Sequence, residues 1–156
     1  MTDENYRTFK AFTDSFHESV ASMTGLSVSR LDPGEKVSVE NIDFLLISGF
    51  KGNVSGSFVI KSPAAAVLSL YEKYLGEKPP ALNSDVLDGM KEFAGIINGG
   101  ASGKEQDLKL QFTPSVAMIG QSIKGCKASK AIGLSVNYLV DQCGVFTVEV
   151  HHGKSS

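Results

Sequence analysis

The chain has 156 residues, with 15 lysines and arginines against 17 aspartates and glutamates, two cysteines and no tryptophan. A chain this long can bury roughly two-thirds of its unfolded surface, so one domain folds without disulfides or a metal. The formal charge of -2 lacks the basic surplus of a nucleic-acid binder. The opening MTDENYRTFK is polar and acidic and reads as no targeting peptide. The longest apolar run, Ala64 to Leu68, is far short of the ~20 residues that span a bilayer. The expectation is a cytoplasmic chain with no membrane or nucleic-acid partner, in which Cys126 and Cys143 are reduced, partly buried thiols.

In chain order, residues 4–25 predict a helix, because Phe9, Phe12, Phe16, Val20 and Met23 fall on one side of a 3.6-residue wheel and Gly25 is a natural stop. Strand-like segments follow at 36–40, 43–48 and 55–61, punctuated by Gly49, Gly52 and Gly56. Pro63 can open a second helix running to about Leu75. The breaker cluster 76–83 (GEKPPALN) then divides the chain into nearly equal halves. Asn83 or Ser84 caps a third helix carrying Val86, Met90, Phe93, Ala94, Ile97 and Ala101 on its apolar side, with an expected break near Gly99 to Gly103. Strands are expected at 108–112, 115–119, 130–140 and 145–151.

Both halves run helix first, strands after. Asp14, Glu18, Ala21 and Gly25 match Asp88, Glu92, Gly95 and Gly99 at a constant offset of 74, and each half carries an apolar-Lys-Gly triplet, Phe50-Lys51-Gly52 and Ile123-Lys124-Gly125. The expected fold is therefore α+β and internally duplicated, with halves at about 4–75 and 84–150 and long helices packed on a mostly antiparallel sheet.

Asp88, Glu92, Gly95 and Gly99 lie within about 60° of one another on an ideal helix, opposite Met90 and Ile97. Like charges four residues apart and interior glycines both weaken a helix, so local stability does not explain this face. It reads either as solvated surface or as a bare groove that admits another protein's loops, with Glu92 as charged anchor. Other signals are weaker. Gly99, Gly100, Gly103 and Lys104 lack the Ser or Thr a phosphate loop needs, since Glu105 stands there. His17, His151 and His152 have no Cys or carboxylate at ligand spacing, so a surface His and a disordered tail are expected and no metal site. Lys124, Lys127 and Lys130 form a basic strip of the kind found on solvated loops, and the Asn53-Val54-Ser55 sequon matters only in a secreted protein.

The stretch DGMKEFAGIINGGASGK, the preceding ISGFKGNVSGSFVIKSPAAAVLSLYEKYLGE and the following FTPSVAMIG resemble the CheX branch of the CheC, CheX and FliY chemotaxis phosphatases. The likeness runs roughly from Phe9 to Val150. It implies that a helix carrying Asp or Ser, Glu four residues on and Asn three residues later acts on a phosphorylated CheY-type response regulator. The Glu engages the regulator's active-site Lys and the Asn positions the water that attacks the aspartyl phosphate. Position by position, the resemblance makes Asp88 and Glu92 family residues and puts Gly95 where the Asn belongs. Gly has no amide to orient water, and in phosphoryl transfer such positioning is a substantial part of catalysis. Asn98 is the nearby amide, about 60° from Gly95 and 120° from Glu92 on an ideal helix, so its use calls for local unwinding at Gly99-Gly100. Helix one offers Glu18 followed by Ala21, again without Asn. The implied partner-binding set is Asp88, Glu92, Gly95 and Gly99, with Glu92 and Asn98 as catalytic candidates. No cofactor is expected on this chain, Mg²⁺ is expected on the regulator, and a homodimer paired through sheet edges is expected. The alternative is a regulator-binding or scaffolding module that hydrolyses nothing.

Overall fold

A computed structural model describes residues 2–32, 42–120 and 132–153. The first helix, α1 (Asp3–Thr24), starts at Thr2, whose hydroxyl accepts from the Asn5 N–H at 3.2 Å. It stops at Gly25, which takes the left-handed conformation and donates to the Ala21 carbonyl. Strands β1 (Val28–Arg30), β2 (Phe44–Lys51) and β3 (Gly56–Ser62) follow, then α2 (Ala64–Leu75). The second half contains α3 (Ser84–Lys104), a 3-10 turn at Gln106–Leu108, and strands β4 (Gln111–Phe112), β5 (Val116–Ile119), β6 (Ile132–Val140) and β7 (Gly144–His152).

The seven strands form one antiparallel sheet in the order β1-β6-β7-β3-β2-β4, with β5 also paired to β2. If β5 is taken as the outer strand on β2, the order maps onto its own reverse when β1, β2 and β3 exchange places with β5, β6 and β7. Each half thus lends its edge strand to the other half's hairpin.

The side chains pointing toward the helices are Phe44, Leu46 and Phe50 of β2, Phe58 and Ile60 of β3, Val136, Tyr138 and Val140 of β6, and Phe146, Val148 and Val150 of β7. They close over Phe12, Phe16, Met90, Phe93 and Ile97. Phe12 stacks on Phe58 at 4.8 Å, and each such fully buried ring contributes about 1.5–3 kcal/mol. On the other face, Lys61 Nζ lies 2.8 Å from Glu149, whose second oxygen is 2.7 Å from His151. Burial pushes the Glu149 carboxyl up, but Lys61 and His151 outweigh it and the pKa falls below its ordinary value.

The helices cross where α1 meets α3 at Gly100. Ser15 Oγ donates to the Ile97 carbonyl at 2.7 Å, and a Cβ on Gly100 would clash with the Ser15 Oγ. At the ends of the same pair, Lys104 binds Glu18 at 2.8 Å, and Arg7 holds Asp107 at 2.8 Å and also Glu105.

Several expectations are corrected. Helix α3 runs unbroken through Gly99 to Lys104, because Ile97, Gly100 and Ala101 are packed against the rest of the molecule and tertiary contact overrides low glycine propensity. Met23 is 40% exposed and leaves the apolar stripe of α1 at its end. Residues 108–112 hold the last residue of the 3-10 turn and two strand residues in place of a five-residue strand. His152 belongs to β7 and is 1% exposed, where a disordered tail was expected. Strand β1 was not anticipated. The segment 36–40, Cys126, the triplet Ile123-Lys124-Gly125 and the strip Lys124, Lys127 and Lys130 lie outside the described residues.

Two outcomes are expected from this packing. Gly100→Ala should lower stability in urea unfolding by about 1 kcal/mol or more, because Ser15 must swing off the Ile97 carbonyl. Gly99→Ala, where a Cβ meets nothing within 4 Å, should instead raise stability by up to ~1 kcal/mol. The second concerns His152, whose ring is buried and whose pKa burial pushes below the ordinary value of 6.5 against a weaker opposing pull from the Asn5 backbone. The folded state holds it neutral, so its contribution is complete above pH 6.5 and is lost as pH falls from there through the depressed folded pKa. Unfolding free energy measured from pH 7 to 5 should decline with a slope of up to ~1.4 kcal/mol per pH unit, and His152→Phe should flatten it.

Candidate functional site

Helix α3 is set in place by its cap and its buried side. Asn83 Oδ1 accepts from the Val86 N–H at 3.1 Å, and Val86, Met90, Phe93, Ala94, Ile97 and Ala101 are all buried. Phe93 meets the Tyr74 ring of α2 edge-on at 5.3 Å. The opposite side is thereby forced outward, and Asp88, Glu92, Gly95 and Gly99 are all exposed.

That exposed face slopes into a groove of about 570 Å³. One wall is α3, through Lys91, Gly95, Asn98 and Gly99, and the other is Phe112, Thr113, Pro114 and Ser115. The second wall is the short connection between β4 and β5, both of which pair with β2. Thr113 pins it there: its N–H donates to the Gly49 carbonyl at 2.9 Å, and its hydroxyl accepts from the Gly49 N–H at 3.1 Å. A Cβ on residue 49 would lie 2.6 Å from that hydroxyl, so glycine at 49 is what lets the wall close down on β2.

Asn98 is at the base of the groove, 5% exposed. Its Nδ2 donates to Ser48 Oγ of β2 at 2.7 Å, while its Oδ1 has no hydrogen-bond partner among the described residues. The helix is not unwound at Gly99-Gly100, so Asn98 keeps its ideal place on the wheel, about 120° from Glu92. The sequence-predicted residues therefore separate into two levels. Asp88, Glu92, Gly95 and Gly99 form an exposed rim, and Asn98 lies below it. A Cβ on Gly95 or on Gly99 would meet nothing within 4 Å, so the rim has room for a side chain that the chain does not itself supply.

The matching face of α1 differs in its charges. Asp14 is paired with Lys10 of its own helix, and Glu18 with Lys104 of α3. On α3, Asp88 has Lys91 at 3.8 Å, and Glu92 makes no ion pair among the described residues. Among the described residues, α3 is thus the one of the two acidic faces whose glutamate makes no ion pair. Lys91, Ser48 and residues 112–115 were not singled out as site residues from the sequence. The Thr-Pro pair between two strand-like segments is the one local signal that marks the second wall.

Among the described residues, no three of His, Cys, Asp and Glu come close enough together to hold a metal, and no helix is long and apolar enough to cross a membrane. Cys143 is half-buried, and burial pushes its thiol pKa up, so it keeps its proton.

Residues 44–137 match the family described as Chemotaxis phosphatase CheX. No curated protein matches the chain. Among solved structures, the chain is similar to a CheC-like superfamily protein from Shewanella sp. PV-4, with TM-score 0.83 and 20% identity over 99% of this chain and 100% of that one. It is also similar to the chemotaxis protein CheX from Vibrio vulnificus, with TM-score 0.80 and 20% identity over 92% and 95% of the two chains. A third is the Borrelia burgdorferi CheX-CheY-BeF3-Mg²⁺ complex, with TM-score 0.73 and 18% identity over 93% and 97%. At these identities the structural likeness speaks to the fold.

Proposed function

The chain belongs to the CheX chemotaxis phosphatase family, and we propose that it docks a phosphorylated CheY-type response regulator on α3, with Glu92 as the anchor for a lysine of the regulator. The observation that carries this reading is the asymmetry between the two acidic faces. Glu18 is neutralised by Lys104, whereas Glu92 stands exposed and unpaired among the described residues, on the same helix face as the groove-lining Gly95 and Gly99. The structurally similar Borrelia protein is seen in complex with CheY, which supports the choice of partner. Mg²⁺ belongs to the regulator in this reading, where it offsets phosphoryl charge, and this chain contributes no cofactor.

Two outcomes for the bound phosphoryl group follow from the site. In the first, the chain promotes hydrolysis, with water attacking phosphorus, the regulator's aspartate leaving and inorganic phosphate released. Asn98 is the amide lining the groove that could orient such a water. In the second, the chain binds the regulator without hydrolysing it. The regular helix at Gly99-Gly100 and the bond from Asn98 to Ser48 favour the second, since they hold the amide below the rim and away from the face that bears Glu92. Pairing of two copies through the edge strand β5, where Val116, Met118 and Ile119 are exposed, is also proposed.

Phosphate release from a phosphorylated regulator, with and without the chain, separates the two outcomes. Glu92→Ala should weaken regulator binding by about 2 kcal/mol or more, because the partner's charge is left unpaired at the interface. Unchanged binding would reject the anchor. Gly95→Asn restores an amide at the rim where a side chain has room. It should raise phosphate release tenfold or more, corresponding to ~1.4 kcal/mol of barrier. Fast release by the natural chain that Asn98→Ala abolishes would assign the water-positioning role to Asn98 and end the binding-module reading.

A further inference from the structure

We propose that Lys91 holds the phosphoryl group of the docked regulator at the mouth of the groove between α3 and residues 112–115, so that the chain tells the phosphorylated regulator from the unphosphorylated one. This inference rests on the docking reading above and names the charge that the regulator presents beside its lysine. Three features carry it. Lys91 is the one charged residue lining the groove among the described residues, so the groove has a positive wall and no carboxylate. Its ammonium is uncommitted: Nζ lies 3.8 Å from Asp88, beyond hydrogen-bond range, in a pair whose side chains are 43% and 75% exposed. The lysines that serve the acids of α1 are instead hydrogen-bonded to them, Lys10 to Asp14 and Lys104 to Glu18. Across the opening, the facing wall adds the Ser115 hydroxyl as a second donor. An ammonium and a hydroxyl with no acid between them match an oxyanion with several acceptor oxygens, and a phosphoryl group carries three.

The docked regulator brings two charges to α3, a lysine and the aspartyl phosphate. Glu92 takes the first and Lys91 the second. The two residues are adjacent in the chain and about 100° apart on a regular helix, so they can meet a cation and an anion side by side. Gly95 falls between them on the wheel, and a Cβ there would meet nothing within 4 Å, which leaves open the space over the helix that the anion would occupy. Charge-assisted hydrogen bonds from the Lys91 ammonium form only when the phosphoryl group is present. The Glu92 contact is the same for both forms of the regulator. Glu92 therefore supplies affinity, and Lys91 supplies discrimination between the two states.

The test uses the full chain and a CheY-type regulator, either unmodified or activated by beryllofluoride, which stands in for the phosphoryl group. Affinity is read by titration calorimetry. Lys91→Met keeps the stem and drops the charge. It should lower affinity for the activated regulator by about tenfold or more and change affinity for the unmodified regulator by less than about twofold. The thermal midpoint should stay in place, since the side chain is exposed. Lys91→Arg should keep most of the preference, because a guanidinium also pairs with phosphoryl oxygens, and Glu92→Ala should weaken both forms alike. A second readout is direct: the fluorine resonances of the bound beryllofluoride should move on saturation with the natural chain and move less on saturation with Lys91→Met. Fluorine shifts that are the same for both chains would overturn the contact. An equal loss for both forms of the regulator in Lys91→Met would put a regulator carboxylate against Lys91 and overturn it as well. Unchanged affinity for both forms, with Glu92→Ala still weakened, would overturn the inference and leave the docking reading intact. Failure of the natural chain to bind any activated regulator would remove the docking reading and this inference with it.

Discussion

Helices α1 and α3 approach each other closely at Gly100, and the placement of the whole helical layer depends on that approach. The hydrogen bond from Ser15 Oγ to the Ile97 carbonyl uses space that a side chain at residue 100 would fill. A helix rich in glycine is weak in isolation. Here two of its glycines, Gly89 against Tyr71 and Gly100 against Ser15, let α3 be held by tertiary contact, and the ion pair from Lys104 to Glu18 joins its last turn to α1. With the buried side fixed by Met90, Phe93 and Ile97, the orientation of the opposite side follows, and that side is the candidate docking face.

The exchange-symmetric strand order makes α1 and α3 formal equivalents, yet the two faces are not chemically equivalent. Charge neutralisation breaks the symmetry. Lys10 and Lys104 both serve the acids of α1, while Lys91 reaches Asp88 only at 3.8 Å and Glu92 has no ion pair among the described residues. Exposed pairs of this kind contribute little to stability, but they decide whether a carboxylate is available to another protein's lysine. The β4 to β5 connection adds a further difference, since its Thr113 anchor on Gly49 raises a wall beside α3 and turns a flat helix face into a groove.

The sequence by itself determined the class of fold, the three helices, most of the strands and the exposed acidic face, because periodicity and breaker residues report local conformation directly. The stripe from Val86 to Ala101 is buried as its spacing predicts, and Gly25 caps α1 in the left-handed conformation that glycine favours. Sequence reasoning ended α3 too early at Gly99, because propensity counts the cost of glycine and does not see the Ser15 contact that offsets it. It sent His152 to a tail, because a strand's last residue carries no periodic signal of its own burial. The groove was beyond its reach for a related reason. Asn98, Ser48, Thr113 and Gly49 are brought together from three separate segments, and their meeting depends on how β2 pairs with the β4 to β5 connection and on where α3 lies across the sheet. Those are properties of long-range packing, and only the tertiary structure decided them.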